Sequence, residues 1–293
     1  MRNWLEYIPF ICTASLVRAL PRAAALRLGG WLGQLARHLQ KRRVEIAREN
    51  MQQALPELPP EEMSAAIRRM FKHMGICFAD MLRLDKYRGQ SDLERYFSIN
   101  GVENLHEALA LGRGCIILSG HIGFWEAGTF FLPQTGMKFE VVAKPMRNPL
   151  VDGFFVRMRQ ASGTSLINSR KGARGILKSL QNNHVVGLLL DQHLKGPGSV
   201  SAPFFGRPAH TTTIITQMAT RYQIPIITAF SYRRPDNTYE CSYEKMFFLE
   251  GDLSEANVLA NTTLLNQKLE QAIRHDISQW FWLHRRWREC CSA

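Results

Sequence analysis

Through the first 95 positions apolar residues recur every three or four places; after that they gather into short continuous runs. The stretch "PRAAALRLGGWLGQLARHLQKRRVEIARENMQQAL" (21–55) has the helical period, and "PELPPEEMSAAIRRMFKHMGICFADMLRL" (56–84) opens a further helix after Pro59 and Pro60. From "RYFSINGVEN", a strand and turn, the character changes, and "NLHEALALGRG" is a short helix. "GCIILSG" (114–120) is apolar without alternation, the pattern of a strand covered on both faces. Helix "FWEAGTFFL", strand "KFEVVAKP", helix "NPLVDGFFVRMRQASG", strand "TSLINS", helix "ARGILKSLQNN" and strand "HVVGLLLDQ" follow in turn. Glycines and prolines mark "HLKGPGSVSAPFFGRPAH" (193–210) as a loop. Beyond it lie helix "TTTIITQMATRYQ", strands "IPIITAFSYRR" and "TYECSYEKMFFLE", and one long closing helix over 254–287. This alternation predicts an α/β fold with a mostly parallel central sheet flanked by helices. A helical region over 1–95 precedes an α/β core over 96–293, as two parts or as one unit.

Charge sharpens the reading of the first part. The chain carries 37 Lys and Arg against 25 Asp and Glu, a net charge of +12. Nine of those basic residues and only three glutamates fall in the first fifty positions, so half of the excess sits there. An excess of this size suits an anionic partner. No zinc-finger spacing, RNA-recognition motif or helix-turn-helix signature accompanies it, which argues against nucleic acid. The basic residues are instead interleaved with Trp4, Tyr7, Phe10, Leu16, Leu20, Leu26, Leu28, Trp31 and Leu35, a mixture that fits helices lying on an anionic membrane surface. The uncharged run from Tyr7 to Val17 falls short of the ~20 residues of a spanning helix, and Pro9 lies inside it. It lacks the basic start and cleavage site of a secretory signal. A membrane-associating helix is therefore the first expectation, ahead of a single-pass anchor or a plain core helix.

Composition removes other classes. A hydrophobic fraction of 45% with 10% aromatics excludes a disordered or fibrous chain. The six cysteines (Cys12, Cys77, Cys115, Cys241, Cys290, Cys291) form no disulfide framework and no CxxC, so a reducing, cytoplasmic setting is expected. His and Cys spacings offer no metal site. There is no GxSxG for a serine hydrolase, and no Lys-Ser/Thr follows Gly196 and Gly198 to make a phosphate loop.

The candidate chemistry lies in "LSGHIGFWEAG" (118–128). His121 follows the apolar strand directly, at the carboxyl edge where open α/β sheets place their sites. Glu126 lies five positions on. Residues five apart on one helix point about 140° away from each other, so the two meet only if His121 precedes the helix and folds back. Gly120 and Gly123 permit that path. A carboxylate bound to one imidazole nitrogen fixes the tautomer and leaves the other nitrogen free to take a proton. By spacing alone Glu126 equally suits a helix-capping acid, with His121 a polar turn residue.

"SGHIGFWEAG" resembles the histidine-x4-acid block of the bacterial lipid A late acyltransferases, the lauroyl/myristoyl transferase family, whose relatives include phosphatidylinositol mannoside acyltransferases. "KPMRNP", "RMRQASGTSLI", "LLLDQHLKGPGSVSAPFFGRPAHTTT" and "QWFWLHRRWR" are similar to four further family blocks in the same order. With the basic N-terminus the resemblance spans nearly the whole chain. It implies a glycerolipid-acyltransferase-like fold and transfer of a fatty acyl chain to a hydroxyl of a lipid A precursor. The donor it implies is an acyl carrier protein or acyl-CoA thioester, with no cofactor and no metal. The place is the cytoplasmic face of the inner membrane, with acyl carrier protein, anionic lipid and the membrane surface as partners. His121 takes the general-base position and Glu126 that of the acid supporting it. Arg159, with Arg147 and Arg157 competing for the role, suits a bidentate grip on phosphate or a solvated helix face. Asp191 either orients His121 or holds a neighbouring turn. Phe124, Trp125, Phe130 and Phe131 suit either a wall for an acyl chain or plain core. Arg285 and Arg286 touch phosphate or anchor the last helix. His193 departs from the acidic or amide residue of many relatives. Two alternatives remain open at this stage: an acyltransferase of another membrane glycolipid or amino-acid lipid, and a basic membrane-binding protein without catalysis.

Overall fold

The structure, a computed structural model, describes residues 2–87, 89–169 and 172–288. Cys290 and Cys291 lie outside the described residues. Five helices come first: α1 (Arg2–Ala19), α2 (Arg22–Leu39), α3 (Lys41–Ala54), α4 (Pro60–Met81) and α5 (Gly89–Tyr96). Proline at the first position of α4, followed by Glu61 and Glu62, sets the backbone and complements the positive end of the helix dipole. Where α2 crosses α4, a β-carbon on Gly29, Gly33 or Gly75 would collide with backbone of the facing helix. Bare backbone at all three is what lets the two helices approach so closely.

The inner side of α1 is docked. Ala14 and Val17 are buried, and Phe10 packs edge-on against Phe154 at 5.2 Å. The Arg83 guanidinium donates to the carbonyls of Val17 and Leu20, both at 2.7 Å, and so satisfies the end of the helix. The outer side leaves Trp4, Leu5, Ile8 and Leu16 exposed on one stripe, and Trp31, Leu35 and Leu39 are exposed on α2. Among the described residues no helix is long and apolar enough to cross a membrane.

The rest alternates β1 (Phe97–Asn100), α6 (Val102–Ala110), β2 (Cys115–Ser119), α7 (Ala127–Phe131), β3 (Phe139–Ala143), α8 (Pro149–Ala161), β4 (Ser165–Asn168), α9 (Gly172–Gln181) and β5 (Val185–Leu189). Then come β6 (Ser199–Phe204), β7 (Arg207–Thr212), α10 (Ile214–Tyr222), β8 (Ile226–Arg233), β9 (Tyr239–Tyr243) and α11 (Glu255–His275). Seven strands form one sheet in the order β1-β9-β8-β2-β5-β3-β4, parallel at every pairing but β8–β9. The expected α/β architecture is what is found.

Its side chains pack on both faces, as alternation along a strand requires. Ile116, Leu118 and Val186 join Met51, Met70 and Leu269 in one core cluster. Cys115, Ile117 and Val185 join Val17, Leu26 and Leu105 in the other. Each cluster thus draws on the N-terminal helices as well as on the sheet.

Three segments differ from the sequence expectation. Residues 199–212 are a β-hairpin, β6 with β7, and not a loop. Its two-residue turn is Phe205 (φ 52°) and Gly206 (φ 71°), the pair of left-handed residues that a tight hairpin needs. The strand expected over 238–250 ends at Tyr243, with only Phe247 bridging back to Ile226. The closing helix ends at His275. Asp276 is extended (φ −148°) and its carboxylate caps the next turn at Ser278, so 280–288 runs as irregular chain across the end of the sheet.

Candidate active site

His121 leaves the carboxyl end of β2, the central strand, through Gly120. No helix starts there. Gly123 takes φ +60°, its N–H donates to the Gln279 carbonyl at 2.8 Å, and the N–H of Phe124 donates to the Ser231 carbonyl at 2.6 Å. The turn is thereby pinned between β8 and the chain after α11. A β-carbon on Gly123 would collide with the Ser231 carbonyl. Gly123→Ala is therefore expected to cost at least the ~1–2 kcal/mol of a left-handed alanine and to lower the midpoint of thermal unfolding measurably.

The imidazole of His121 meets a carboxylate, and it is that of Asp191. Asp191 stands just past β5, the strand next to β2, so two neighbouring strand ends supply the pair. Oδ1 of Asp191 lies 2.9 Å from Nδ1 of His121, and Oδ2 accepts from the backbone N–H of His121 at 2.8 Å. Trp280 Nε1 donates to the same Oδ2 at 2.7 Å. Burial works to raise the Asp191 pKa, but the charge of His121 and these hydrogen bonds outweigh it and hold the carboxyl down at about 2. For His121 burial pulls the other way, and the charge and hydrogen bond of Asp191, with the charge of Glu126 behind them, leave its pKa raised.

Glu126 is placed differently from the expectation. It sits at the N-cap position of α7 with helical φ and ψ, and both carboxylate oxygens are taken by Arg159, at 2.6 and 3.0 Å. Among the described residues no hydrogen bond joins it to His121. The turn pinned at Gly123 carries Glu126 away from the ring, and the nearest cation claims it. Arg159, expected to grip phosphate, is thus bound to a protein carboxylate. Proline at the first turn of α8 and the Asn148 side chain, which accepts from the Leu150 N–H at 3.0 Å, fix the helix that carries it.

The other candidates divide. Trp125 lies edge-on to His121, ring centres 5.1 Å apart. Phe124 and Phe130 turn into the core, where Phe124 packs at 4.7 Å on Tyr239 and Phe130 at 5.7 Å on Tyr87. Arg147 is exposed in the loop before α8. Arg286 is fully buried, its guanidinium donating to the His210 carbonyl and Thr211 Oγ1, both at 2.6 Å. It is a structural anchor of the tail. His193 packs edge-on against His210, ring centres 5.5 Å apart.

A cavity of about 230 Å³ opens beside His121, Trp125, Glu126 and Arg159. Its remaining walls are largely apolar, with Phe131, Phe139, Val141, Gly187, Ala229 and Tyr243 among them. The cysteine and the two serines that line it are not ready to act as nucleophiles. Burial pushes the Cys241 thiol up to about 12, Ser119 Oγ donates to the Ala229 carbonyl at 2.7 Å, and Ser231 Oγ is paired with Cys241 Sγ. Among the described residues no three His, Cys, Asp or Glu side chains gather as a metal site.

The sequence profile described as "bacterial lipid A biosynthesis acyltransferase" matches residues 1–289. The chain belongs to that family. A lipid A biosynthesis lauroyltransferase of Escherichia coli K12 is 28% identical over 292 residues, covering 98% of this chain and 92% of the relative. A lipid A biosynthesis palmitoleoyltransferase of the same organism is 27% identical, covering 92% and 86%. A phosphatidylinositol mannoside acyltransferase of Mycobacterium tuberculosis is 24% identical, covering 64% and 59%. The solved 1-acyl-sn-glycerophosphate acyltransferase of Thermotoga maritima aligns over 85% of this chain and 97% of its own with a TM-score of 0.38 at 12% identity.

Two residues at the centre of this site left little signal in the sequence. The sequence pattern places Trp280 in the closing helix, whereas it hydrogen-bonds Asp191 from irregular chain. The Gln192 amide nitrogen stands 3.3 Å from Nε2 of His121, and the only sequence signal was its place after Asp191 at a strand end.

Proposed function

We propose that this acyltransferase moves a fatty acyl chain from the thioester of acyl carrier protein to a hydroxyl of a lipid A precursor, with His121 as general base. The reaction is set at the cytoplasmic face of the inner membrane. The carrying observation is the His121–Asp191 pair at the mouth of an apolar cavity. With Asp191 ionised, Nδ1 of His121 holds the proton and Nε2 presents its lone pair. Nε2 takes the proton of the acceptor hydroxyl as that oxygen attacks the thioester carbonyl; the C–S bond then breaks and the imidazolium returns the proton to the leaving thiolate. The acceptor oxygen attacks directly, so no acyl-enzyme forms and no cofactor takes part. Committed hydroxyls at Ser119 and Ser231 and the un-ionised Cys241 support that course. Asp191 is a positioning residue. Glu126 acts on His121 by charge alone, and Arg159 fixes where that charge stands.

Family membership supports acyl transfer in lipid A synthesis. The net charge of +12 supports an acidic carrier as donor and an anionic membrane surface, and the exposed apolar residues of α1 and α2 support the latter further. The test is incubation of the protein with acyl-acyl carrier protein and a lipid A precursor, read by mass spectrometry. A gain of one acyl group on the lipid is expected; transfer from the same donor to another glycolipid alone would correct the acceptor.

A pH profile follows from the sign of the His121 shift. The base works only unprotonated, and its pKa is raised, so kcat/KM falls on the acid side with a midpoint above the ordinary histidine value near 6.5. Asp191→Asn removes the charge that raises it and should move any residual limb to lower pH. A limb that stays put in that variant is evidence against His121 as the titrating group.

A further inference from the structure

A second apolar compartment lies beside His121, and the reaction as proposed leaves it unused. It is a groove of about 700 Å³ between α1, α2, α4 and the irregular tail after α11. Thr13, Leu32, Met74, Phe78 and Phe281 are among its walls, and Phe78 is 44% exposed there. The groove shares no lining residue with the 230 Å³ cavity. The two nevertheless converge on His121. The imidazole lines the cavity, while the His121 carbonyl accepts from the N–H of Phe281 at 3.1 Å and the Phe281 ring stands 6.1 Å from the imidazole.

The charge at this groove has one sign. Arg43, Arg285 and Arg288 all contribute to it and are exposed, and no carboxylate is among its described lining residues. Arg285 belongs to the basic pair that the sequence left open between phosphate and anchor. Its neighbour Arg286 is the anchor, which leaves Arg285 at the groove. His284 also lines it, and His284 Nδ1 is buried with no hydrogen-bond partner, so a polar group admitted beside it finds an unmet bond. Burial, with the neighbouring arginines, holds His284 down at about 4 although Asp191 pulls the other way, so the ring is neutral near pH 7.

Apolar walls under a purely cationic rim match a lipid that bears both an acyl tail and a phosphate. We infer that the groove holds an acyl chain of the phosphorylated lipid acceptor, with its phosphate on Arg285 and Arg288. The donor chain in the cavity and the acceptor chain in the groove then reach His121 from separate compartments. This rests on the acyl transfer proposed above and adds which lipid lies where.

The test uses the full chain in uncharged detergent micelles with a phosphatidic acid carrying a photoactivatable diazirine in one acyl chain. Labelled peptides are read by mass spectrometry. Adducts are expected on Phe78, Met74 and Leu32. Arg285→Glu with Arg288→Glu, both at exposed positions, should reduce them on the order of tenfold. The same double variant should raise KM for the lipid acceptor by a similar factor, well beyond any change in KM for the acyl donor. Labelling confined to the outer stripe of α1 or to the cavity, or undiminished by the charge reversal, overturns the assignment. Photolabelling needs no turnover, so His121→Ala must label as the parent does. A protein that transfers acyl chains but labels elsewhere overturns the groove alone. One that labels in the groove yet passes no acyl chain to the lipid A precursor overturns the reaction instead.

Discussion

His121→Ala is expected to lower the rate of acyl transfer by on the order of 10³- to 10⁴-fold while folding persists. The side chain is only a fifth exposed, yet it has few structural duties; its backbone N–H and carbonyl, which hold Asp191 and Phe281, survive the substitution. What disappears is the base and the partner of a buried carboxylate. Asp191→Asn tests the other half. The amide cannot hold Nδ1–H in the same way, so the tautomer with Nε2 free is no longer enforced, and a loss on the same scale is expected without loss of the ring. Steady-state kinetics beside circular dichroism separates these effects from unfolding. Full activity in either variant would remove the proposed mechanism.

Arg159→Ala is expected to destabilise the fold strongly. Its guanidinium and the Glu126 carboxylate are 12% and 10% exposed, and burial of both charges is tolerated only because they meet bidentately. Removing one partner strands the other, at a cost of about 3–5 kcal/mol in a denaturant titration. Replacing both, as Arg159→Met with Glu126→Gln, should recover most of that, because the stranded charge and not the lost attraction makes up most of the cost. A single variant within ~1 kcal/mol of the parent would mean that the pair behaves as a surface pair. Activity gives a second readout. An unneutralised Glu126 raises the pKa of His121 further, so the acid limb of the Arg159→Ala variant should shift to higher pH.

Periodicity made the parallel sheet legible because buried strands and amphipathic helices each leave a pattern over consecutive residues. The hairpin at 199–212 was not legible. Its glycines and prolines read as punctuation, and the left-handed turn is carried by a phenylalanine, which no propensity would place there. The closing helix was overextended for a related reason: the apolar tryptophans after Asp276 continue the helical period although the chain does not. For the site, the sequence put His121 at the right strand end. It put the nearest carboxylate along the chain first and left Asp191 open between orienting His121 and holding a turn; space takes Asp191, seventy positions away and just past the neighbouring strand. Register between β2 and β5, which sets Ser119 opposite Leu189, decides that outcome, and register is not written in either strand alone.

The arginine that closes α1 has one more effect. Because Arg83 grips the last carbonyls of that helix, and Arg18 grips Asp85 beside it, α1 cannot swing as an independent anchor on a flexible tether. Its apolar outer stripe and His121 belong to one frame. On any surface that took the stripe, the helix would act as a keel, setting the height and tilt of His121 above it; under the reaction proposed here, a lipid hydroxyl would then have to lie at that depth to be reached.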